Sequence, residues 1–485
     1  MELTASRREF LKGVALSAGA GLAAGCVCAK GRGGNVSGAP MRNFRCPPMR
    51  NGIRVGIVGV GARGSSAATR LLQVPGVSVT AVCDIRAAYA EKAAKAVADK
   101  VGTRPLVFAG TAESYKGLCD SDAVDVVYNA TSWNAHVPVG VYAMKAGKHT
   151  FIEVPSALFL DECWELVETA EACRVHCMQL ENCCYGETEL LALNLCRLGL
   201  LGELIHGEGG YIHDRRWSIF NDAQWERWRN RWNERHAGNW YSTHGLGPIA
   251  LDMGVNRGDR LDYLVSVDSR QAGYEAFAAA TLAADNPLRA ERFAMADMNV
   301  TTIRTAKGRT ILLQHDVSSP RPYSRLNLIA GTKGVLRGYP RLDVFLEGKD
   351  VWPSNGAGHS FSDEMTARVR DAYAHPLVRQ AGEVAKKVGG HGGMDYLMDL
   401  RWAYCLQRGL PLDTDVYDLA SWCAVSELTE RSSRNRAQTM DVPDFTRGAW
   451  KTPCTSNLMD ATIERDFMAS WGQCGIVGFQ VVRSK

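Results

Sequence analysis

Between residue 53 and about residue 155, short apolar runs alternate with segments whose apolar positions recur at helical spacing. Ile53 to Val58, Val77 to Cys83, Pro105 to Phe108, Val124 to Asn129 and His149 to Glu153 read as strands, with Ser65 to Gln73, Ala87 to Lys100 and Pro138 to Ala146 as helices between them. Such alternation needs right-handed crossovers and predicts an α/β chain with a doubly wound parallel sheet. Ligands of such sheets lie at the carboxyl ends of the strands. Three short loops fall there: Asn129 to His136, Glu153 to Pro155, and Glu181-Asn182 after a strand from Val175 to Leu180.

After residue 202 the pattern changes. Leu204 to Ile212, Leu264 to Tyr274, Met298 to Thr305, Thr310 to Val317 and Leu326 to Gly331 read as longer strands parted by wandering loops. They predict a second, α+β domain built on a mostly antiparallel open sheet. A loop from Asp214 to Ser242 carries Trp217, Trp225, Trp228, Trp232 and Trp240. Loops of that length are usually functional; the tryptophans are either a satellite core or flat walls on which sugar rings stack. Residues 391 to 430 read as helical, with Met394, Leu397, Met398, Trp402 and Leu406 as a core stripe. The expected division is a signal at 1–26, a flexible linker at 27–51, a nucleotide domain at 52–180, a substrate domain at 181–450 and a tail at 451–485.

The first strand runs into Gly59, Gly61 and Gly64, a G-x-G-x-x-G turn opening a helix. Gly59 serves the tight turn, Gly61 the close approach of a pyrophosphate, and Gly64 the packing of helix on strand. The helix start aims amide N–H groups at the phosphates. Asp84 ends the second strand twenty residues after Gly64, where a carboxylate accepts the ribose hydroxyls and repels a 2′-phosphate. This is a Rossmann-type arrangement that predicts NAD over NADP, with Arg86 able to blunt the preference.

The chain has 485 residues, 46% of them apolar and 22% charged, with a net charge of +4. That length predicts more than one core. No basic run marks it for nucleic acid. The fifteen cysteines lack paired C-x-x-C spacing; Cys173 with Cys177, or Cys183 with Cys184, are conceivable ligands, but cysteines such as Cys83 and Cys119 sit in or beside apolar runs and read as small core residues. No metal is expected. Ser6-Arg-Arg-Glu-Phe-Leu-Lys12 has twin-arginine form, and Val14 to Ala24 is too short to span a bilayer. The start resembles a Tat export signal, and Leu22-Ala-Ala-Gly-Cys26 resembles a lipobox with Ala23 where leucine is usual. Cys26 is thus a candidate lipid anchor for a periplasmic or cell-envelope protein, the alternative being cleavage and release. Tat carries folded proteins, which suits a protein that must take up a nucleotide before export.

The glycine turn with Asp84, Trp133-Asn-Ala-His136 and the Glu153 strand end resemble the Gfo/Idh/MocA group of NAD(P)-dependent proteins. A finer resemblance, to the NAD-dependent α-N-acetylgalactosaminidases of glycoside hydrolase family 109, rests on Glu181-Asn-Cys-Cys-Tyr185, Gly209-Gly-Tyr-Ile-His-Asp214, Trp228-Arg229, Tyr241-Ser-Thr-His-Gly-Leu-Gly-Pro248, Asn256-Arg-Gly258, Arg321-Pro-Tyr323, Gly390-His-Gly-Gly-Met-Asp-Tyr396 and Val416-Tyr-Asp-Leu-Ala420. These matches run in order from about residue 53 to 450. The resemblance implies NAD contacts at Arg63, Gly64, Asp84, Trp133, Asn134, Ala135, His136, Glu153, Val154 and Asn182. It implies sugar contacts at Tyr211, Arg229, Tyr241, Ser242, Thr243, His244 and Tyr323. Tyrosine, histidine and arginine donors on aromatic walls also suit a neutral acetamido sugar chemically.

Sugar dehydrogenases of the wider group carry Glu-Lys-Pro where this chain has Glu153-Val-Pro155, and Val154 cannot assist proton transfer. The implied reaction is therefore hydrolysis with NAD recycled: oxidation at C3, loss of the C2 proton, elimination of the aglycone from C1, addition of water, and reduction. It needs no carboxylate pair across the glycosidic bond. Tyr211, His213, His244 and Tyr323 form the acid/base pool. Two other readings stand beside it: a periplasmic NAD-dependent sugar oxidoreductase and a noncatalytic sugar-binding lipoprotein. The open sheet face also admits a homo-oligomer.

Overall fold

A computed structural model describes residues 39–220, 227–348, 360–459, 461–464 and 466–467. The expected signal, Cys26 and Trp225 lie outside the described residues.

Six parallel strands form the first sheet in the order β3-β2-β1-β4-β5-β6: β1 Ile53–Val58, β2 Val77–Asp84, β3 Leu106–Ala109, β4 Val126–Asn129, β5 His149–Ile152 and β6 Cys177–Gln179. Chain order reverses between β1 and β4, where a doubly wound sheet opens a crevice. Five helices cover it: α1 Ala62–Leu71, α2 Ala87–Val101, α3 Ser114–Asp120, α4 Trp133–Lys145 and α5 Leu160–Cys173. The Trp133-to-His136 stretch, expected as a loop, is the first turn of α4. Proline usually starts a helix, but Pro138 sits inside this one. The donor it lacks would serve only the carbonyl of Asn134, an exposed residue that water can reach.

The second sheet has the order β13-β12-β11-β7-β10-β9-β8-β14, comprising β7 Leu204–Ile212, β8 Leu261–Asp268, β9 Asn299–Thr305, β10 Thr310–Asp316, β11 Leu328–Gly331, β12 Gly334–Arg337, β13 Asp343–Leu346 and β14 Met440–Asp441. All its neighbours are antiparallel except β7 and β10. Around it lie α6 Glu187–Arg197, α7 Arg216–Ile219, α8 Arg227–Arg235, α9 Thr243–Asp252, α10 Gly273–Thr281, α11 Asp363–Tyr373, α12 Pro376–Val388, α13 Met394–Arg408 and α14 Val416–Arg434. One continuous apolar core joins the sheets, from Ile53 and Val55 through Trp402 to Leu264 and Ile303.

Several expectations are corrected. The strand thought to reach Tyr274 stops at Asp268; Tyr274 is on α10, buried 4.5 Å from the Phe293 ring. The Asp297 carboxylate accepts the amides of Ala272 and Gly273, capping α10 from more than twenty residues away, a signal that local periodicity lacks. The 214–242 stretch holds α7 and α8 instead of being plain loop. The helical stretch after residue 391 is two helices, parted where Gly409 takes φ +64° and Asp415 starts α14 by accepting the amides of Tyr417 and Asp418. The end of the supposed flexible linker is packed: Met41 is buried, its amide donates to Tyr417 Oη at 3.2 Å, and Met49 donates to the Leu406 carbonyl at 2.9 Å.

Candidate active site

The nucleotide end of the site is built by β1, the glycine turn and α1. Gly59 has φ +84°, and a Cβ there would meet the Ala130 backbone at 2.7 Å; one on Gly64 would lie 1.9 Å from the Gly59 carbonyl oxygen. A Cβ on Gly61 would meet nothing within 4 Å, and no side chain caps α1. The turn is thus tight on its protein side and open on the other, which fits a pyrophosphate at the helix start. Asp84 is buried, accepts the Val60 amide at 3.0 Å and the Arg86 amide at 2.9 Å, and lies 3.6 Å from the Arg86 guanidinium. It therefore braces the glycine turn besides standing at the ribose position.

The other expected NAD residues divide. Trp133 turns toward the second domain, with its ring 6.1 Å from that of Tyr241. Asn134 is exposed and Ala135 half-buried. His136 is buried between the carbonyl oxygens of Pro155 and Thr131, at 2.8 and 3.1 Å, and burial holds its pKa below the ordinary value. Val154 is buried. Arg63, Glu153 and Asn182 belong to one network: Glu153 Oε1 accepts from Arg63 Nε at 2.6 Å and Tyr128 Oη at 2.8 Å, while Asp395 accepts from Arg63 Nη1 and Asn182 Nδ2, each at 2.6 Å. Burial disfavours the Asp395 charge, but His391, Arg63 and Arg70 hold its carboxyl far below the usual range.

At the other end β7 delivers Tyr211 with His213 just past its last residue, α9 delivers His244 just after Tyr241, and the approach to β11 delivers Tyr323. The Tyr211 ring lies 4.6 Å from Tyr241, 5.5 Å from His244 and 6.2 Å from Tyr323, and Tyr211 Oη is 3.1 Å from His213 Nδ1. The four expected acid/base residues are thus one cluster. The Arg229 guanidinium lies 5.0 Å from the ring centres of both Trp133 and Tyr241, joining the two ends. Ser242 and Thr243 are buried, and the Ser242 hydroxyl is committed to α14, 3.2 Å from the Trp422 carbonyl and 3.1 Å from Ser426 Oγ. Trp232 and Trp240 pack with Phe159 as a satellite core, whereas Trp228 stands edge-on to Trp133 at 5.0 Å.

Further residues, given no role from the sequence, join this cluster. His315, paired across β7/β10 with Tyr211, stacks on it at 6.2 Å; burial pushes its pKa down to about 4. Arg325 donates to Tyr323 Oη at 3.1 Å and is held by Glu189 at 2.6 Å. Glu181 Oε1 is 2.6 Å from His244 Nδ1. With Cys183 these two offer ligand atoms within 4.8 Å of one another, a spacing that could hold a metal, although the carboxylate and imidazole already engage each other. A wider surface pocket lined by Arg260, Asp262, Asp441 and Trp450 lies at the β8/β14 edge and involves none of the expected site residues.

Glycine turn, strand-end aspartate and open second sheet define an NAD-binding protein of oxidoreductase architecture. Residues 53–179 match the oxidoreductase family with NAD-binding Rossmann fold, and residues 185–452 match the C-terminal domain of glycosyl hydrolase 109. The chain is 41% identical to a glycosyl hydrolase family 109 protein of Shewanella pealeana, over 92% of this chain and 97% of that one. It is 42% identical, with the same coverage, to family 109 protein 2 of Shewanella sp. strain ANA-3. The chain belongs to glycosyl hydrolase family 109. Similar solved structures include an NAD-binding oxidoreductase from Klebsiella pneumoniae (TM-score 0.61, 16% identity, 81% of this chain and 99% of that one). Another is the WlbA dehydrogenase from Bordetella pertussis in complex with NADH and UDP-GlcNAcA (TM-score 0.60, 18% identity, 82% and 99%). At these identities the likeness concerns the fold.

Proposed function

We propose that the protein is a glycosidase that hydrolyses terminal α-linked N-acetylgalactosamine with NAD as a recycled cofactor. The observation that carries this reading is the pairing of a turn fitted to a dinucleotide with a cluster of Tyr211, His213, His244 and Tyr323, while position 154 holds a buried valine. Family membership supplies the carbohydrate class. NAD, when bound, supplies oxidation and later reduction of one sugar carbon. The chain's own residues do the rest. Arg63, Gly64, Asp84, Glu153 and Asn182 are the proposed cofactor contacts, and Trp133 and Arg229 form a wall between cofactor and sugar. Tyr211, Arg229, Tyr241, His244 and Tyr323 hold the sugar, and the acid/base pool takes the C2 proton and protonates the departing aglycone oxygen. With Ser242 Oγ turned into α14, that side chain is a support for α9 in this reading.

The test is hydrolysis of an aryl α-N-acetylgalactosaminide in heavy water without added NAD. Turnover with deuterium at C2 and no accumulation of NADH is expected. Product lacking C2 deuterium, or stoichiometric NADH release, would return a sugar oxidoreductase to the front.

A further inference from the structure

His244 is not an isolated histidine in the cluster. Its Nδ1 lies 2.6 Å from Glu181 Oε1, and the Glu181 side chain is 1% exposed. Glu181 stands at the end of the first domain, where its carboxylate also accepts the Cys183 amide at 3.2 Å and caps the short turn Asn182–Tyr185. The stem of Glu181 passes against α9 at Gly247, where a Cβ would come within 3.0 Å of its Cγ. His244 and Gly247 are three residues apart, so one helix face presents the imidazole and makes room for the carboxylate.

We propose that Glu181 is a positioning residue for His244, fixing the imidazole with Nδ1–H toward the carboxylate and Nε2 toward the sugar as the proton-carrying atom. This rests on the glycosidase reading above. With the Nδ1 proton held by Glu181, the lone pair on Nε2 takes a proton from substrate, and the positive charge that arises on the ring is balanced by the carboxylate beside it. When Nε2 returns the proton, the Nδ1–H stays in place. The logic is that of a base oriented by a third group.

The surroundings leave the pair to act on each other. Besides Glu181, the titratable groups facing His244 are Tyr211 from β7, Tyr241 from the segment before α9, and Cys183 from the short turn. Burial raises the pKa values of Tyr241 and Cys183, so both are neutral at physiological pH. Burial also works to raise that of Glu181, yet the charge and hydrogen bond of His244 bring it below the ordinary value. Glu189 on α6 and Arg325 on the approach to β11 pair with each other at 2.6 Å.

The experiment compares full-length wild type, Glu181→Gln and Glu181→Asp, with bound nucleotide, melting temperature and metal content measured for each. His244, assigned by its missing resonance in His244→Asn, is titrated by NMR, and hydrolysis of the aryl α-N-acetylgalactosaminide is followed against pH. Glu181→Gln should retain nucleotide and fold, lose about tenfold to a thousandfold in kcat with KM little changed, and shift the His244 titration toward acid, since the adjacent negative charge is gone. Glu181→Asp should recover part of both. Identical titration and kcat in wild type and Glu181→Gln would overturn the proposal, as would a stoichiometric metal in wild type that Glu181→Gln loses. Absence of hydrolysis by wild type would overturn the glycosidase reading, while an acid shift in Glu181→Gln would still uphold the coupling of the two residues.

Discussion

Arg63 Nη1 and Asp395 Oδ2 lie 2.6 Å apart, joining the second residue of the helix after the glycine turn to a carboxylate 332 positions later. The same carboxylate accepts from Asn182 at 2.6 Å, and Arg63 reaches Glu153 at 2.6 Å, so one aspartate from α13 organises three residues expected at the cofactor. A glycine turn alone gives a dinucleotide a place to lie. The pair gives that place a fixed wall.

Replacing Asp395 with asparagine should therefore release nucleotide. The change removes one of the two carboxylates beside each of Arg63 and Arg70, leaving Glu153 and Asp399 as their partners, and each charge-assisted hydrogen bond lost costs roughly 1.5 to 3 kcal/mol. Nucleotide released on denaturation, measured beside melting temperature, checks it. Full occupancy at an unchanged melting temperature would remove Asp395 from the cofactor site.

Asp84→Ala should also lose nucleotide, and with it some stability, because Asp84 braces the Val60 amide within the glycine turn. Each charge-assisted hydrogen bond removed is worth roughly 1.5 to 3 kcal/mol. Occupancy should fall further than melting temperature does; a collapse of melting temperature with nucleotide retained would make Asp84 purely a structural brace.

Tyr211→Phe, His244→Asn and Tyr323→Phe should each slow turnover by about a hundredfold to ten-thousandfold while nucleotide stays bound. The three rings share one cluster but lie apart from Asp84 and Arg63, so kinetics and occupancy should separate. A variant at wild-type kcat would leave the acid/base pool.

Stability should decline with acid well before carboxylates titrate. Burial lowers the pKa values of His149, His315 and His375 to about 4, so each is neutral in the fold and binds a proton when unfolded below its free value of about 6.5. The sign follows: their contribution is complete above pH 6.5 and is lost progressively as pH falls toward 4, by up to about 3 kcal/mol for each group. Melting temperature against pH measures this. A flat curve between pH 7 and 5 would show that these rings are protonated in the folded protein.

Arg7→Lys combined with Arg8→Lys should leave the protein in the cytoplasm, and Cys26→Ser should release it from membranes as soluble protein, since the lipid would supply most of the membrane affinity. Among the described residues no helix is long and apolar enough to cross a membrane. Fractionation of both variants checks the two claims separately; membrane retention of Cys26→Ser would eliminate the lipid anchor.

The parallel sheet was legible because its signals are local: an apolar run, a glycine turn and an aspartate at set spacing, all within some thirty residues. Tyr211, His213, His244 and Tyr323 were legible only as members of a resemblance, since a tyrosine or histidine in a strand or helix has no periodic mark of its role. Glu181 and Asp395 stood in stretches singled out from the sequence but received no role, and His315 and Arg325 were missed, because what defines all four is a partner from another element, such as the β7/β10 register that sets His315 beside Tyr211. The start of α10 failed for the same reason, its cap coming from Asp297. The end of the supposed tether read as flexible from its Gly, Pro and Arg content, yet Met41 is buried and donates to Tyr417 in α14.

The clamp supplied by Asp395 also sets an order of events during synthesis. The glycine turn leaves the ribosome within the first 64 residues, whereas the carboxylate that holds Arg63 emerges more than three hundred residues later. A nascent chain carrying only the first sheet has the turn but not its wall. Firm capture of nucleotide is then expected only once translation has passed α13 and that helix has docked, which would place cofactor loading among the last steps of folding.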